Sequence, residues 1–377
     1  MAQLFFDICA IVHLSALGLL SLYGLHRIWL VTAWWRKRRT APMPAPPLPE
    51  RLPMVTVQLP IFNERFVAER LVDAAARLDW PADRLEIQVL DDSTDDTSDI
   101  VALSVSRWRE RGVLVSHVRR PHRKGFKAGA LAEGLKAARG EYVAVFDADF
   151  TPAPDFLRQT VPHFADPGVG MVQARWGFRN VEHSWLTGVQ ALLLGPHFAI
   201  EHQVRFSRGL FFNFNGTAGV WRREAIETAG GWQPDTVTED LDLSYRAQLR
   251  GWRFVYLSHY VVPSELPVTL AAFRGQQQRW AKGSVQTARK ILPKVLRQSL
   301  PLAVKGEALA HLLANFGWLL GALVFLTLYP AVVSRVGVGP WQLLRLDLPL
   351  FLSTTAAILC YFFLFLRGEG SRGSLRD

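Results

Sequence analysis

Long apolar runs constrain this chain before anything else, because about 20 consecutive apolar residues suffice to cross the hydrocarbon core of a bilayer. The first occupies residues 4–25, is interrupted by Asp7 and His13, and continues to Trp35 before the basic stop Arg36-Lys37-Arg38-Arg39. It is longer than the core of a secretory signal and has no small-residue cleavage pattern ahead of the basic cluster, so it reads as a retained anchor. Residues 308–333 and 349–366 are two further spans. Basic residues gather at the inner ends, at Arg36 to Arg39, Lys290, Lys294, Arg297 and Lys305, and again at Arg367 and Arg372. By the positive-inside rule this places residues 36–305 in the cytoplasm and the N-terminus outside. A multi-pass protein of the cell inner membrane with three transmembrane helices is expected.

The remaining length, out of 377 residues, accommodates one large globular domain. A formal charge of +10 calls for an anionic partner. A phosphate-bearing substrate or the negative face of the bilayer fits, and a nucleic acid is not expected. Cys9 and Cys360 both lie in apolar runs, which leaves neither a disulfide framework nor a cysteine zinc site.

The pattern implies six segments: an N-terminal anchor at 1–40, a Pro-rich linker at 41–53 and a catalytic domain at 54–267. Interfacial helices at 268–305, two transmembrane helices at 306–367 and a tail at 368–377 follow. From Met54 onward short β-branched runs alternate with helical patterns: strands at 55–59, 85–90, 113–118 and 142–146, helices at 66–78, 95–111 and 125–138. This is the βαβ rhythm of an α/β fold, a mostly parallel sheet with helices on both faces, whose ligands sit beyond the carboxyl ends of the strands. Three polar clusters fall at such ends: Pro60-Ile61-Phe62-Asn63-Glu64, Asp91-Asp92-Ser93 and Asp147-Ala148-Asp149. The helical patterns at 183–208 and 268–300 combine apolar faces with Arg, Lys and His, as interfacial helices laid on a membrane do.

Extended alternation through Asp147-Ala148-Asp149 puts both carboxylates on one side, where two hard oxygens can face one Mg²⁺ or Mn²⁺ whose shell a diphosphate completes. One of Asp91 and Asp92 is read as an acceptor for a nucleotide base or ribose. An EF-hand is excluded, since its sixth and twelfth positions would be Asp96 and Ala102. A Walker loop is excluded by Leu135 in place of Lys, and neither G-x-G-x-x-G after the first strand nor H-E-x-x-H is present. In Thr238-Glu239-Asp240 a capped helix start is the bland reading, and Asp240 is the candidate base that takes a proton from an acceptor hydroxyl. Gln276, Arg279 and Trp280 offer donors and a flat apolar face suited to a sugar ring.

Taken in order, P-x-x-N-E, D-D-S, Lys127-Ala128-Gly129-Ala130-Leu131, D-A-D, Val172-Gln173-Ala174-Arg175-Trp176, the run from Phe214 to Arg222, T-E-D and Q-x-x-R-W resemble the family 2 glycosyltransferases. The likeness covers residues 53–290 and is nearest to the cellulose synthase-like mannan and glucan synthases. It implies a GT-A fold and an inverting transfer of mannose or glucose from GDP-mannose or UDP-glucose onto a glycan or lipid acceptor. It places Pro60, Asn63, Glu64, Asp91, Asp92, Lys127 and Asp147 around the nucleotide sugar, Asp149 on Mg²⁺ or Mn²⁺, and Asp240 as general base. Asn215, Gly216, Thr217, Glu239, Gln276, Arg279 and Trp280 would line the acceptor and diphosphate side. Processive synthases of this kind carry more membrane helices after Q-x-x-R-W than the two here, so a partner subunit or oligomer is expected for export.

Overall fold

The computed structural model describes residues 2–37 and 45–370. Arg38 and Arg39 of the basic stop, the start of the Pro-rich linker and Arg372 in the tail lie outside the described residues. The chain divides into two compact units, residues 1–40 with 299–377, and residues 41–298.

In the first unit, helices Ala2–Lys37, Phe316–Ser334 and Leu344–Gly368 are each long and apolar enough to cross a membrane. The polar residues that interrupt the first run are matched within the unit. Ser334 donates to Asp7 (2.7 Å), the His13 ring lies 3.1 Å from the Thr327 hydroxyl, and Ser353 donates to Ser21 (2.8 Å). Such pairing removes the penalty of a bare polar group in hydrocarbon. The second span starts later than expected. The apolar run from 308 is broken at 313–315, and its first residues end a separate helix, Leu302–Leu312, whose buried Glu307 pairs with His26 at 2.8 Å.

The second unit is built on seven strands: β1 (Val55–Ile61), β2 (Leu85–Asp91), β3 (Val115–Arg119), β4 (Tyr142–Val145), β5 (Val169–Phe178), β6 (Gly219–Arg222) and β7 (Arg253–Ser264). Their order is β3-β2-β1-β4-β6-β5-β7, with β6 antiparallel to both neighbours and the other pairings parallel. Val55 of β1 lies opposite Leu85 on one side and Tyr142 on the other, so the chain order reverses between β1 and β4 and opens a crevice at their carboxyl ends. Strand alternation splits the core. Val55, Val57, Leu59 and Ile61 pack with Leu71, Val72, Val101 and Val105 of helices Ala68–Ala76 and Thr97–Glu110. The opposite face lies under helix Phe126–Ala137 and carries a buried polar ladder in which Thr56 donates to Glu86 (2.6 Å) and Gln58 to Gln88 (3.0 Å). At roughly 1 kcal/mol net per satisfied bond, this ladder contributes less to stability than to register, since a slipped strand would bury these groups unpaired.

Two sequence expectations are corrected. Asp147-Ala148-Asp149 is a turn, not extended strand: β4 stops at Val145, the Asp147 N–H goes to the Thr217 hydroxyl (2.8 Å), and Phe150 N–H closes back on the Asp147 carbonyl (3.1 Å). The segment expected as an interfacial helix at 183–208 is a helix over 185–207 whose second half is core, with Phe198, Ile200, His202, Val204 and Arg205 all buried. Only its first half keeps exposed apolar residues, at Trp185, Val189 and Leu193.

Candidate active site

Where β1 and β2 end, the two loops are tied to each other. Pro60 is the penultimate residue of β1, paired with Leu90, and Asn63 follows in the left-handed region (φ 56°). The Asn63 N–H donates to the Ser93 hydroxyl (2.9 Å), and its side-chain oxygen accepts the Thr94 N–H (2.9 Å). Asp91, expected beside the nucleotide, is engaged inside the protein. Its carboxylate is fully buried and already accepts hydrogen bonds from Ser93 N–H (2.8 Å), the Ser98 hydroxyl (2.5 Å) and the His117 ring (2.8 Å). Burial alone would raise its pKa, but the bonds from His117, Ser98 and Ser93 outweigh burial and hold it well below the usual carboxylate range. Asp92 is engaged by the Arg120 guanidinium, with Nε 2.9 Å from Oδ1 and Nη2 on Oδ2. Arg120 also donates to the carbonyls of Lys124 (3.0 Å) and Phe126 (3.1 Å), which fixes Asp92 to the start of helix Phe126–Ala137. Beside it the Arg123 guanidinium stacks 3.3 Å over the Phe62 ring.

In the first turn of that helix, Lys127 is the hub of a second cluster. Its ammonium lies 2.5 Å from Asp147 Oδ1 and donates to the Gly216 carbonyl (2.9 Å). Gly216 has φ 81°, and a Cβ there would lie 3.1 Å from Asp240 Oδ2 and 3.3 Å from the Lys127 ammonium, so this backbone approaches both closely because it has no side chain. Burial alone would lower the Lys127 pKa, but Asp147, Glu239 and Asp240 outweigh it and raise it. The acids share too little positive charge. Burial, then Asp147 and Glu64, push Asp149 up to about 7. Glu64, at the exposed rim, is raised by desolvation and by Asp147 and Asp95. Glu239 and Asp240 open helix Glu239–Leu249, and burial raises both; Asp240 adds to the effect on Glu239, and Asp147 to that on Asp240, against the opposing pull of Lys127. Thr238 does not cap that helix with its side chain, since its hydroxyl is bonded to Thr287 (3.1 Å).

The loop 213–217 is held from below by a residue that sequence reasoning did not assign to the site. Buried Gln173 accepts the Asn215 N–H (3.0 Å) and donates to the carbonyls of Thr217 and Ala218 (both 3.1 Å). Arg120 was also missed; a basic run directly after β3, at the carboxyl edge of the sheet, is the signal that could have found it.

Gln276, Arg279 and Trp280 lie on helix Leu270–Arg297, which begins at a Thr269 cap and is bolted to the acid helix further along. Lys290 reaches Asp235 (2.8 Å) and buried Asp242 (2.9 Å), and Gln286 accepts the Val237 N–H (3.0 Å). Gly283 passes so close to Thr238 that a Cβ would fall 2.5 Å from its methyl. Among the described residues, Gln276, Arg279 and Trp280 make no hydrogen bond or ion pair with the acids, and the Gln276 side-chain oxygen is buried without a hydrogen-bond partner.

Among the described residues no three His, Cys, Asp or Glu side chains are grouped to hold a metal ion unaided. The donor set still fits a hard divalent cation, because Asp147 and Asp149 share one turn, the acids around them are short of positive charge, and such ions take one or two carboxylates and complete their shell from phosphates.

The family model described as "Glycosyl transferase family group 2" matches residues 142–366. Glucomannan 4-beta-mannosyltransferase 1 of Oryza sativa subsp. japonica is 48% identical over 250 residues, 65% of this chain and 48% of the relative. Glucomannan 4-beta-mannosyltransferase 2 of Arabidopsis thaliana is 49% identical over 250 residues, 65% of this chain and 47% of the relative. The chain thus spans about half the length of the curated relatives it matches. Among solved structures, mannosyltransferase PcManGT from Pyrobaculum calidifontis, in complex with GDP-Man and Mn²⁺, superposes with a TM-score of 0.61 at 23% identity, covering 97% of this chain and 99% of that one. S. aureus TarS 1-349 in complex with UDP-GlcNAc gives 0.52 at 16% identity, over 85% of this chain and 91% of that one. These likenesses agree on a GT-A-like fold, and with the family model matching well over half its length, the chain belongs to glycosyl transferase family group 2.

Proposed function

We propose that this chain is a membrane-bound inverting mannosyltransferase that transfers mannose from GDP-mannose to the hydroxyl of a growing β-linked glycan. The observation that carries the reading is the crowding of Asp147, Asp149, Glu239 and Asp240 around a single Lys127, in the crevice at the carboxyl ends of the parallel strands. A site so short of positive charge suits a diphosphate delivered together with a cation. Mannose and GDP are favoured over glucose and UDP by the mannosyltransferase relatives and by the GDP-Man complex of the structural relative.

In this reading Asp240 accepts the proton of the acceptor hydroxyl while the oxygen attacks the anomeric carbon. The bond from that carbon to the diphosphate breaks, and GDP leaves with the electron pair. A raised pKa makes Asp240 a stronger base than an exposed carboxylate, provided the pH keeps it ionised. Asp149, with Asp147, would hold Mg²⁺ or Mn²⁺, which when bound supplies charge stabilisation for the leaving diphosphate. Lys127 adds a cation next to it, Asp92 and the rim residues Pro60, Asn63 and Glu64 bound the nucleoside side, and Asn215, Gly216 and Thr217 line the acceptor side. Gln276, Arg279 and Trp280 close the acceptor side from their helix. The basic residues at the ends of the apolar helices support a cytoplasmic side for the catalytic residues.

The test is a donor panel of labelled GDP-mannose, GDP-glucose and UDP-glucose with purified full-length protein, in Mn²⁺ and in chelator, followed by sizing of the product. Cation-dependent incorporation from GDP-mannose into a polymer sensitive to a β-mannanase is expected. Incorporation from UDP-glucose alone would overturn the donor assignment. Product confined to lipid-sized species would replace the polymer with a lipid acceptor.

A further inference from the structure

The helix over 185–207 is interrupted by a π-turn at His197–His202. In an α-helix, residues five apart point about 140° away from each other around the axis. The wider π-turn reduces that angle, and short π-segments of this kind concentrate at functional sites. Here it turns both histidines onto one residue. The His197 Nε2 lies 3.2 Å from Asn215 Oδ1, the His202 Nε2 lies 2.9 Å from Asn215 Nδ2, and the two rings are 4.4 Å apart.

His202 is wholly buried, and its Nε2 also lies 3.0 Å from the Asn213 carbonyl. One imidazole nitrogen therefore touches both the backbone before Asn215 and the amide of Asn215. In the stretch 212–220, Asn215 is the single residue that is not buried, so it is the part of the loop that solvent reaches. The next residues reach the reacting groups: the Gly216 carbonyl receives Lys127, the Gly216 Cα faces Asp240, and the Thr217 hydroxyl receives the Asp147 N–H.

We propose that His202, with His197 at the other end of the amide, is a positioning pair that fixes the rotamer of Asn215 toward the acceptor hydroxyl. This rests on the transferase reading above and deepens its acceptor side. The Asn215 Oδ1 also accepts from Asn213 Nδ2 (3.1 Å), so the histidines complete a hold on the amide that Asn213 begins. A misplacement of about 1 Å near a reacting atom can lower the rate about 100-fold. The buried His202 ring and the part-exposed His197 ring hold the amide from the helix side.

The test uses full-length protein and separates acceptor use from donor use. His202→Phe keeps an aromatic ring and removes the nitrogen contacts. Mannosyl transfer to a manno-oligosaccharide acceptor is expected to fall about 10- to 30-fold in kcat/KM. Release of free mannose from GDP-mannose, with water as acceptor, and the KM for donor are expected to stay within about twofold. His202→Gln, which returns an amide to the position, is expected to recover part of the transfer. If His202→Phe fails to fold, the comparison of His202→Gln with wild type carries the same split. Combining His202→Gln with Asn215→Ala is expected to add little beyond Asn215→Ala, because the two act through one contact. Unchanged transfer in His202→Gln and His202→Phe, a parallel loss of transfer and donor hydrolysis, or fully additive losses would overturn the proposal. A wild-type protein that neither hydrolyses nor transfers from any nucleotide sugar would overturn the transferase reading itself.

Discussion

The acids at the carboxyl ends of the sheet fall into two groups that receive opposite treatment. At the end of β2, Asp91 and Asp92 are saturated: His117, Ser98 and Ser93 surround one, and Arg120 clasps the other. Beyond β4 and at the start of the Glu239–Leu249 helix, Asp147, Asp149, Glu239 and Asp240 share the charge of Lys127. The first group is finished when the protein folds and its negative charge is spent on holding loops together. The second is short of positive charge, which protons or a cation brought with a ligand can supply. Within one crevice the chain thus separates carboxylates that shape the site from carboxylates that act in it.

The largest effect expected from breaking this contrast is at Asp240. Asp240→Asn should lower mannosyl transfer about 10³-fold, in the range for loss of a general base, while donor binding measured by calorimetry in Mn²⁺ stays within a few-fold. Equal loss of donor binding would move Asp240 to the donor side. Next is Asp149→Asn, expected to weaken Mn²⁺-dependent GDP binding about 10- to 100-fold.

Asp91 on one side and Asp149, Glu239 and Asp240 on the other differ in the sign of their pH dependence. Asp149, pushed up to about 7, binds protons more tightly in the folded state than in the unfolded chain. Its contribution therefore falls as pH rises from the ordinary carboxylate range to about 7, and the same direction holds for Glu239 and Asp240. Melting curves without cation should lose Tm across that window, and Mn²⁺ with GDP should stabilise more at pH 8 than at pH 5. In Asp149→Asn the loss should be smaller; an unchanged slope would show that Asp149 is not one of the charge-starved acids.

Asp91 has the opposite sign. Its depressed pKa adds stability that is present above the unfolded carboxylate value and disappears as pH falls. Asp91→Asn should cost about 1–3 kcal/mol at pH 7 by leaving part of a buried network unmatched, measured by denaturant unfolding. The smallest effect is expected outside both groups. Arg158→Ala removes an exposed ion pair to Asp79 and should leave Tm and transfer within error, since such pairs contribute little.

Strand rhythm, strand-end acids and the T-E-D and Q-x-x-R-W segments were legible because each is written in a few adjacent residues. The division of the acids was not, because it depends on partners distant in the chain. Asp92 meets Arg120 across 28 residues, Asp91 meets His117 across 26, and Lys127 meets Gly216 across 89. The D-A-D turn was hidden for the same reason, since the Thr217 hydroxyl that ends the β4 ladder comes from another strand's approach. The π-turn at His197–His202 was invisible because one wide turn barely disturbs an apolar pattern of helical period.

The bare contact of Gly283 against Thr238 acts like a tooth in a rack. A helix pressed to within van der Waals range at one point can neither roll nor slide there without collision. Gln276, Arg279 and Trp280 therefore hold a set azimuth and height along their axis, although the stop that sets them lies up to two turns away. Any side chain at that notch, even a methyl, would shift the whole rod and re-aim all three groups together.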